Sequence, residues 1–458
     1  MAASAGETTH PHTALAAERR ALWRMVAPMV PSELIGVITP AAVLVLMGIM
    51  GGDALYVRSL FTPLAFLFFA LQAGIGVSAQ VAAAVAHGGG QPGAVAAGVA
   101  SIARVGFPCV ALVGLVAALC AQPLATLLSV EPAVRADFVA FVRWVSAAMV
   151  LLPGPALCVA ALRGTGHPWL GGLVLVTTAL FEIGLVYLLG LRWGLGSLSV
   201  PAAAAVGGVA GTVLGLILAR RRSVWPAGAA LTWRPEVTGL LVRIGLPVAM
   251  SFVLVFASNL GMLWVLSTFG PFVVSGFAAA ITLQSVLVVP AVALGSGVAI
   301  LMNQHLGAGQ PQRLRALLRA GLELGAGGYA LTALVCWSAR DPLALVLTGD
   351  PAVAHETSRY LAVVSPTYAL FGLVLLALTV LEQIGHGPLA LVLNVVYFAG
   401  VVAVGGWLAR RGSSPSALYD AVAVANLGGV TVVATLVALV RRMSRAGAAP
   451  AVAAITAP

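Results

Sequence analysis

The sequence predicts an all-α integral membrane protein with twelve transmembrane helices in two pseudo-symmetric six-helix bundles. The chain has 458 residues, of which 60% are hydrophobic and only 8% are charged. A soluble protein carries roughly 25% charged residues, so this chain could not cover a surface that faces water. Apolar stretches long enough to cross a bilayer recur along most of the sequence. In addition, several short motifs recur at one constant spacing.

Twelve apolar stretches follow one another along the chain. A transmembrane helix needs about 20 mainly apolar residues, and turn and charge signals mark where each stretch ends. Backbone polar groups in hydrocarbon must be satisfied internally, and the alternation typical of a barrel is absent, so the spans are predicted to be helices. The predicted spans are 25–50, 55–86, 94–121, 136–162, 168–191, 198–220, 237–267, 272–305, 313–339, 355–382, 388–409 and 416–440.

An internal repeat divides the chain into two halves. Gly88-Gly89-Gly90-Gln91-Pro92 recurs as Gly307-Ala308-Gly309-Gln310-Pro311, and we call the difference in residue number between Gln91 and Gln310 the repeat offset. A shared offset across several landmarks indicates a duplicated structural unit. The same offset relates Glu131-Pro132-Ala133-Val134 to Asp350-Pro351-Ala352-Val353, Gly166-His167 to Gly385-His386, Val145-Ser146 to Val364-Ser365, Pro28 to Pro247, and Gly51 to Gly270. The predicted domains are a tail 1–24, a first bundle 25–222, a linker 223–243, a second bundle 244–442 and a tail 443–458.

The topology follows from the number of spans in each half. Six spans begin and end on the same side of the membrane, so the halves are parallel repeats with a cleft between them, which favours transport. Sixteen arginines flank the spans on the side of the termini and eight on the opposite side. Arginine excess marks the cytoplasmic side. We therefore expect a multi-pass protein of the plasma (inner) membrane with both termini in the cytoplasm. Both tails are rich in small and polar residues, so we expect them to be irregular.

Several classes of protein are disfavoured. No soluble segment is long enough to fold into a nucleic-acid-binding domain. We therefore interpret the basic residues behind the net charge of +10 as residues that set the orientation of the protein in the bilayer. An enzyme would need clustered ligands for a metal, or a nucleophile beside a base. No such cluster appears, and the chain is expected to be no enzyme and to bind no metal or cofactor. The four cysteines stand singly in apolar stretches: Cys109, Cys120, Cys158 and Cys336. We expect a monomer in the lipid bilayer.

Two carboxylates lie well inside predicted spans. Glu182 lies about 21 Å and Glu33 about 13 Å from the cytoplasmic ends of their helices, at 1.5 Å per residue. Ionisable groups are costly in hydrocarbon and survive where they face a cavity and act there. We therefore predict ion coupling through Glu182 and Glu33, because hydrocarbon disfavours the ionised form and a proton could bind and leave. The alternatives are a structural hydrogen bond for Glu182 and a local helix restart for Glu33, whose carboxylate would accept backbone N–H groups.

Neutral polar and aromatic residues inside the spans are candidates for the wall of a cavity. We predict that a small-molecule substrate contacts Gln284, Asn259, Thr178 and Tyr187, and that Phe256 stacks on a cationic aromatic compound. Hydrogen bonding between helices is the alternative explanation for each polar residue.

Five motifs, in this order and at these spans, resemble the multidrug and toxic compound extrusion (MATE) family, within the wider multidrug, oligosaccharidyl-lipid and polysaccharide exporter group. The resemblance covers nearly the whole chain between the tails. The most specific motif closes span 8, where this family typically has Gly-Gln-x-Leu-Gly-Ala-Gly. The motifs are Gly51-Gly52-Asp53-Ala54-Leu55, Gly88 to Pro92, Leu162-Arg163-Gly164-Thr165-Gly166-His167, Gly245-Leu246-Pro247, and Asn303-Gln304-His305-Leu306-Gly307-Ala308-Gly309.

The resemblance implies an antiporter that exports amphipathic, often cationic compounds by alternating access, driven by sodium or protons. The Asp that proton-coupled members carry in span 1 aligns near Val43. The sodium-coupled pattern is also incomplete, since its Glu aligns near Val255 and 366–381 holds no acid. In span 5, Glu182 matches the first of two polar positions, whereas Val186 falls on the second. Proton coupling through Glu182 is therefore expected rather than sodium coupling; loss of coupling is the alternative.

Two rival functions are weighed. A flippase for lipid-linked saccharides, from the same wider group, would need a strongly basic cavity for a pyrophosphate head. The deep candidates in this chain are acidic or neutral, which argues against it. An integral membrane enzyme is disfavoured because the two deep carboxylates lie on different spans at different heights.

Overall fold

All regular structure in the described part of the chain is helical, as the sequence predicts. A computed structural model describes residues 11–226, 228, 231–412 and 414–446. Of the two predicted tails, residues 1–10 and 447–458 lie outside the described residues. Ten long apolar helical stretches, and an eleventh that bends by 76° between Pro311–Ser338 and Arg340–Thr348, could each cross a membrane. One stretch, Pro351–Gly412, is 62 residues long. A single crossing needs about 20 residues, so this stretch holds two spans and the total is twelve.

The first bundle begins with two helices that form one span and ends with α9. The π-helical segment Val186–Arg192 extends α8. The helices are α1 (Pro11–Val26), α2 (Met29–Met50), α3 (Gly52–Gly88), α4 (Pro92–Leu119), α5 (Ala121–Leu127), α6 (Arg135–Met149), α7 (Pro153–Gly164), α8 (Pro168–Leu185) and α9 (Ser199–Arg221).

The second bundle repeats this order of long and short helices. Its long helix α12 has the same length as α3, 37 residues, and it begins at Pro271, the position that the repeat offset relates to Gly52. The helices are α10 (Pro235–Leu240), α11 (Leu246–Leu266), α12 (Pro271–Gly307), α13 (Leu314–Ser338), α14 (Arg340–Thr348), α15 (Pro351–Val364), α16 (Tyr368–Leu381), α17 (Gly387–Gly400), α18 (Gly406–Gly412), α19 (Ser416–Gly428) and α20 (Val430–Ala446).

Glycine and proline set where spans break. Pro92 and Pro168 stand in the first turn of α4 and α8, where the missing N–H group has no helical partner to lose. Between α16 and α17 the segment Glu382–His386 is π-helical, and Gly385 has φ of +94°. A residue with a side chain rarely adopts this conformation, so glycine allows the chain to reverse there.

Helix α1 differs from the predicted irregular tail. Residues 11–26 are helical, and α1 packs against α12 and α13 of the second bundle. Glu18 is buried, and its carboxylate lies 3.3 Å from Nε2 of His305 and 4.0 Å from Nη1 of Arg313. Arg19 forms an ion pair with Glu323 of α13. Composition alone missed these long-range contacts, which fix α1 as a helix.

Both ends of the described chain lie at the same end of the molecule, which we call the terminal side. Arg315, at the start of α13, donates to the Ser444 hydroxyl at 2.6 Å, and Glu18 lies beside His305 at the end of α12. The opposite end, where α2 and α11 end and α3 and α12 begin, is called the far side. Which of these sides faces the cytoplasm stays a prediction.

The two bundles touch most closely on the terminal side, where α3 and α12 meet through main-chain atoms. A Cβ atom at Gly88 would collide with the carbonyl oxygen of Gln304, and a Cβ atom at Gly307 would collide with that of Val85. These two contacts are equivalent, since the repeat offset relates Val85 to Gln304 and Gly88 to Gly307. Small residues allow helix backbones in membranes to approach closely.

Candidate functional site

A cavity of about 450 Å³ lies between the two bundles. Its wall is formed by α2, α3, α7 and α8 from the first bundle. The second bundle contributes α11, α12, α15, α16, α17 and α19, together with Glu382, Gln383 and Val401. It extends from Gln80 on the terminal side to Met262 and Ile281, near the far-side ends of α11 and α12. Most of the wall is apolar, with Phe69, Phe252 and further aromatic side chains among a few polar groups. Pockets for small molecules have this composition.

The first-bundle wall carries a compensated charge. Arg163, at the end of α7, is buried and forms an ion pair with Glu33 of α2. Its Nη2 atom also donates to the Ser32 hydroxyl at 3.0 Å. Arg163 has its positive charge balanced by Glu33, so this pair adds a dipole rather than a net charge to the cavity.

The second-bundle wall carries an uncompensated charge. Oε1 of Glu382 accepts a hydrogen bond from the Ser251 hydroxyl at 2.8 Å, and Nδ2 of Asn394 donates to the same hydroxyl at 3.0 Å. All three residues line the cavity. Within the described ranges, no arginine or histidine forms an ion pair with Glu382. Its carboxyl group therefore has no internal countercharge within these ranges and can meet a ligand from the cavity.

Glutamine side chains connect the bundles at the terminal end of the cavity. Nε2 of Gln80 donates to Oε1 of Gln383 at 3.1 Å, and Nε2 of Gln383 donates to the Ser296 hydroxyl at 2.8 Å. Nδ2 of Asn303 donates to the Gln383 carbonyl oxygen at 3.0 Å, and Nε2 of Gln304 donates to that of Gly164 at 2.8 Å. With the main-chain contacts of Gly88 and Gly307, these bonds close the cavity on the terminal side.

Three of the predicted site residues line the cavity. Glu33 lies at its first-bundle wall, and Gln284 and Asn259 lie on the second bundle. Oε1 of Gln284 accepts from the Tyr360 hydroxyl at 3.1 Å. The predicted roles are ion coupling for Glu33 and substrate contact for Gln284 and Asn259. Their place in the wall does not test these roles, which stay predictions.

Phe256 and three residues of α8 and its extension lie elsewhere. The Thr178 hydroxyl donates to the Val174 carbonyl oxygen at 3.0 Å, and Tyr187 is half-exposed on the surface. Phe256 stacks on Phe66 of α3, with ring centroids 4.4 Å apart. The main chain of α8 at Glu182 packs against Gly207 of α9. None of these side chains belongs to the cavity wall in the part of the molecule that the structure describes.

Glu382 and Arg163 were missed as site residues by sequence reasoning. Glu382 is the last residue of predicted span 10, and Arg163 follows predicted span 4, so both were assigned to membrane boundaries. The repeat held the signal, because its offset relates Arg163 to Glu382 and Ser32 to Ser251. Two charged residues at equivalent positions, each bonded to an equivalent serine, mark a shared site.

Among the described residues, no group of three His, Cys, Asp or Glu side chains is placed to hold a metal ion. A second cavity, of about 840 Å³, is lined only by residues between Leu393 and Val432. Its lining contains no described residue of the first bundle, and it shares Tyr397 and Val401 with the cavity between the bundles.

Comparison with known proteins identifies the fold. A family model, MatE, matches residues 28–188 and again residues 247–408, so its two copies are separated by the repeat offset. The chain belongs to the MATE family. This transporter therefore has two homologous halves, and the family consists of transporters rather than enzymes. The similarity covers most of both bundles and agrees with the predicted resemblance.

Individual relatives of this MATE protein are distant. It is 26% identical over 271 residues to the probable multidrug resistance protein NorM of Aromatoleum aromaticum, matching 55% of this chain and 57% of that protein. It is 25% identical over 335 residues to the probable multidrug resistance protein YoeA of Bacillus subtilis, matching 70% and 72% respectively. The crystal structure of the Vibrio cholerae MATE transporter VcmN in the bent form has a TM-score of 0.88 at 20% identity. That match covers 95% of this chain and 100% of VcmN, and it supports the fold alone.

Proposed function

We propose that this MATE transporter is a secondary antiporter that exports amphipathic, cationic small molecules by alternating access, in exchange for protons. The observation that carries the proposal is the cavity between the bundles, which is closed on the terminal side and reaches toward the far side. Separation of Gly88 from Gln304 would open the terminal side. Rocking of two parallel bundles around a fixed site can then expose the cavity to each side in turn.

The charges of the cavity wall support a cationic substrate. In the described part of the chain, Glu33 and Glu382 are the two acidic side chains of the wall and Arg163 is its one basic side chain, so acidic groups outnumber basic groups by one. Aromatic side chains complete an environment that suits an apolar body bearing a positive group. A flippase for a pyrophosphate-linked saccharide would need a net positive wall, so this alternative is disfavoured.

For coupling, we retain Glu182 as the proton-binding carboxylate and regard Glu33 as the second candidate. Among the described residues, the Glu182 carboxyl group forms no ion pair and no hydrogen bond with another side chain, so a proton arriving there would displace no partner. The Glu33 carboxylate is already paired with the Arg163 guanidinium, so a proton arriving there would have to displace this partner. The coupling role is therefore assigned first to Glu182.

Transport in membrane vesicles tests the proposal. Vesicles that contain the wild type, Glu182→Gln or Glu33→Gln are loaded with a fluorescent cation, and an inward proton or sodium gradient is applied. We expect a proton gradient to drive transport and Glu182→Gln to abolish the response to it. Glu131→Gln, which changes an exposed loop residue, is the matched control. Transport driven by sodium alone would refute the proton assignment, and proton-driven transport by Glu182→Gln would remove Glu182 from the mechanism.

Closure of the terminal side is tested by cross-linking. In a variant without native cysteines, Gln80→Cys and Gln383→Cys place two thiols on opposite bundles. A short bifunctional thiol reagent that can itself be cleaved by a reductant should join them and stop transport, and the reductant should restore it. Full transport in the cross-linked protein would refute alternating access through this contact.

A further inference from the structure

We propose that Glu382, Ser251 and Asn394 form a binding site for a protonated amine carried on an apolar or aromatic body. The site lies in the second-bundle wall of the cavity. That such an amine is the exported compound rests on the proposed function, whereas its binding does not.

The hydrogen bonds of the three residues point toward the carboxylate. The Asn394 amide donates to the Ser251 hydroxyl, and this hydroxyl in turn donates to Oε1 of Glu382. Because the Ser251 oxygen already accepts a hydrogen bond from Asn394, its own O–H group is directed at Oε1 of Glu382. The second oxygen, Oε2, receives no hydrogen bond from any side chain that the structure describes. Since the residue lines the cavity, this oxygen can accept an N–H group from a ligand.

The equivalent site in the first bundle shows why the second one is selective for a cation. Ser32 and Arg163 occupy the positions equivalent to Ser251 and Glu382, and there the serine accepts from the charged group rather than donating to it. Arg163 is satisfied within the protein by Glu33. The position that the repeat offset relates to Glu33 is occupied by an apolar ring in the second bundle, that of Phe252. The second site therefore has the opposite charge and no internal partner for it among the described residues.

The surroundings of Glu382 favour an organic ammonium group over a metal ion. Phe252, Tyr397 and Phe398 line the same cavity, and an ammonium group can bind the faces of such rings. The Tyr397 hydroxyl donates to Oδ1 of Asn426 at 2.6 Å, which holds its ring in place. A hard divalent cation takes six or more oxygen ligands, and the site offers a single carboxylate.

A set of three probes with one apolar body tests this site. Binding of 2-(1-naphthyl)ethylamine, the corresponding alcohol and naphthylacetic acid is measured by calorimetry on the purified full-length protein. We expect the wild type to bind the amine about tenfold more tightly than the alcohol, and the acid more weakly than both, because hydrogen bonds to charged groups contribute about 1.5–3 kcal/mol. Glu382→Gln should remove the preference for the amine while leaving binding of the alcohol unchanged. Glu131→Gln should retain the preference.

Two further variants keep the test decisive if Glu382→Gln does not fold. Glu382→Asp should retain part of the preference for the amine, and Ser251→Ala should reduce it by several-fold. A wild type that binds amine and alcohol equally, or unchanged preference in both Glu382→Gln and Ser251→Ala, would overturn the site. Amine binding that depends on Glu382 without any transport in vesicles would refute the proposed export and support the site. Transport combined with an amine preference independent of Glu382 would refute the site alone.

Discussion

Gly88→Ala should shift the transporter away from the form that is closed on the terminal side. The added methyl group would collide with the Gln304 carbonyl oxygen, a main-chain atom that cannot move without moving α12. Inserting a methyl group into a packed interface typically costs about 1–3 kcal/mol, which lowers the closed-to-open ratio by about 5- to 150-fold. The intrinsic preference of alanine for helix acts on both forms equally and so leaves this ratio unchanged.

The shift is measurable as a distance between the bundles. Spin labels at Arg221→Cys and Arg442→Cys, two exposed positions at the terminal-side ends of α9 and α20, report the separation by pulsed electron spin resonance. Gly89→Ala is the matched control, because the atom nearest to its Cβ would be the Gly307 carbonyl oxygen at 3.5 Å, an ordinary contact. Gly88→Ala should give a larger population of long distances than either the control or the wild type. Equal distance distributions in all three would refute the role of this contact in closure.

Three other changes test separate parts of the structure. Arg163→Met should lower the free energy of unfolding by about 1–3 kcal/mol, because it removes a charge-assisted hydrogen bond to Glu33, whose side chain is partly exposed. Glu33→Gln in the same chain should recover part of the loss in a thermal unfolding assay, and no recovery would mean that the pair is not coupled. Glu18→Gln should weaken the contact of α1 with His305. Protease cleavage within α1 should then become faster, while the melting temperature of the protein changes little. An unchanged cleavage rate would contradict this prediction. Gly385→Ala should lower the free energy of unfolding by about 1–3 kcal/mol, because φ is +94° at this position. Denaturation in detergent measures this change, and an unchanged denaturation midpoint would show that the turn relaxes.

Much of the fold could be predicted because it depends on local composition and on the repeat. The length of each apolar stretch determines whether it crosses the membrane, and Gly88 and Gly307 reveal the duplication without any knowledge of contacts. Helix α1 could not be predicted in this way. Its sequence is not strongly apolar, and His305, which contacts Glu18, lies 287 residues away in the chain.

The site was only partly predictable, because depth along a helix does not say which way a side chain points. Glu33 was identified from depth, but its partner Arg163 was assigned to a membrane boundary because it follows the end of a predicted span. Glu182 is deeper than Glu33 and yet lies outside the cavity wall. Glu382 was overlooked because a boundary drawn from hydropathy ended the span at that residue, whereas the π-helical turn that follows keeps it inside the protein.

The lack of a countercharge beside Glu382 has a consequence for the resting transporter. When the cavity is empty and shut from both sides, an ionised Glu382 would be an isolated charge in a poorly solvated space, which costs several kcal/mol. An unloaded protein would therefore resist passing through the occluded form unless the carboxylate first acquired a proton or another positive charge. One carboxyl group without a countercharge would thus hinder the empty protein from moving between its two forms, whereas a bound cation would ease that movement.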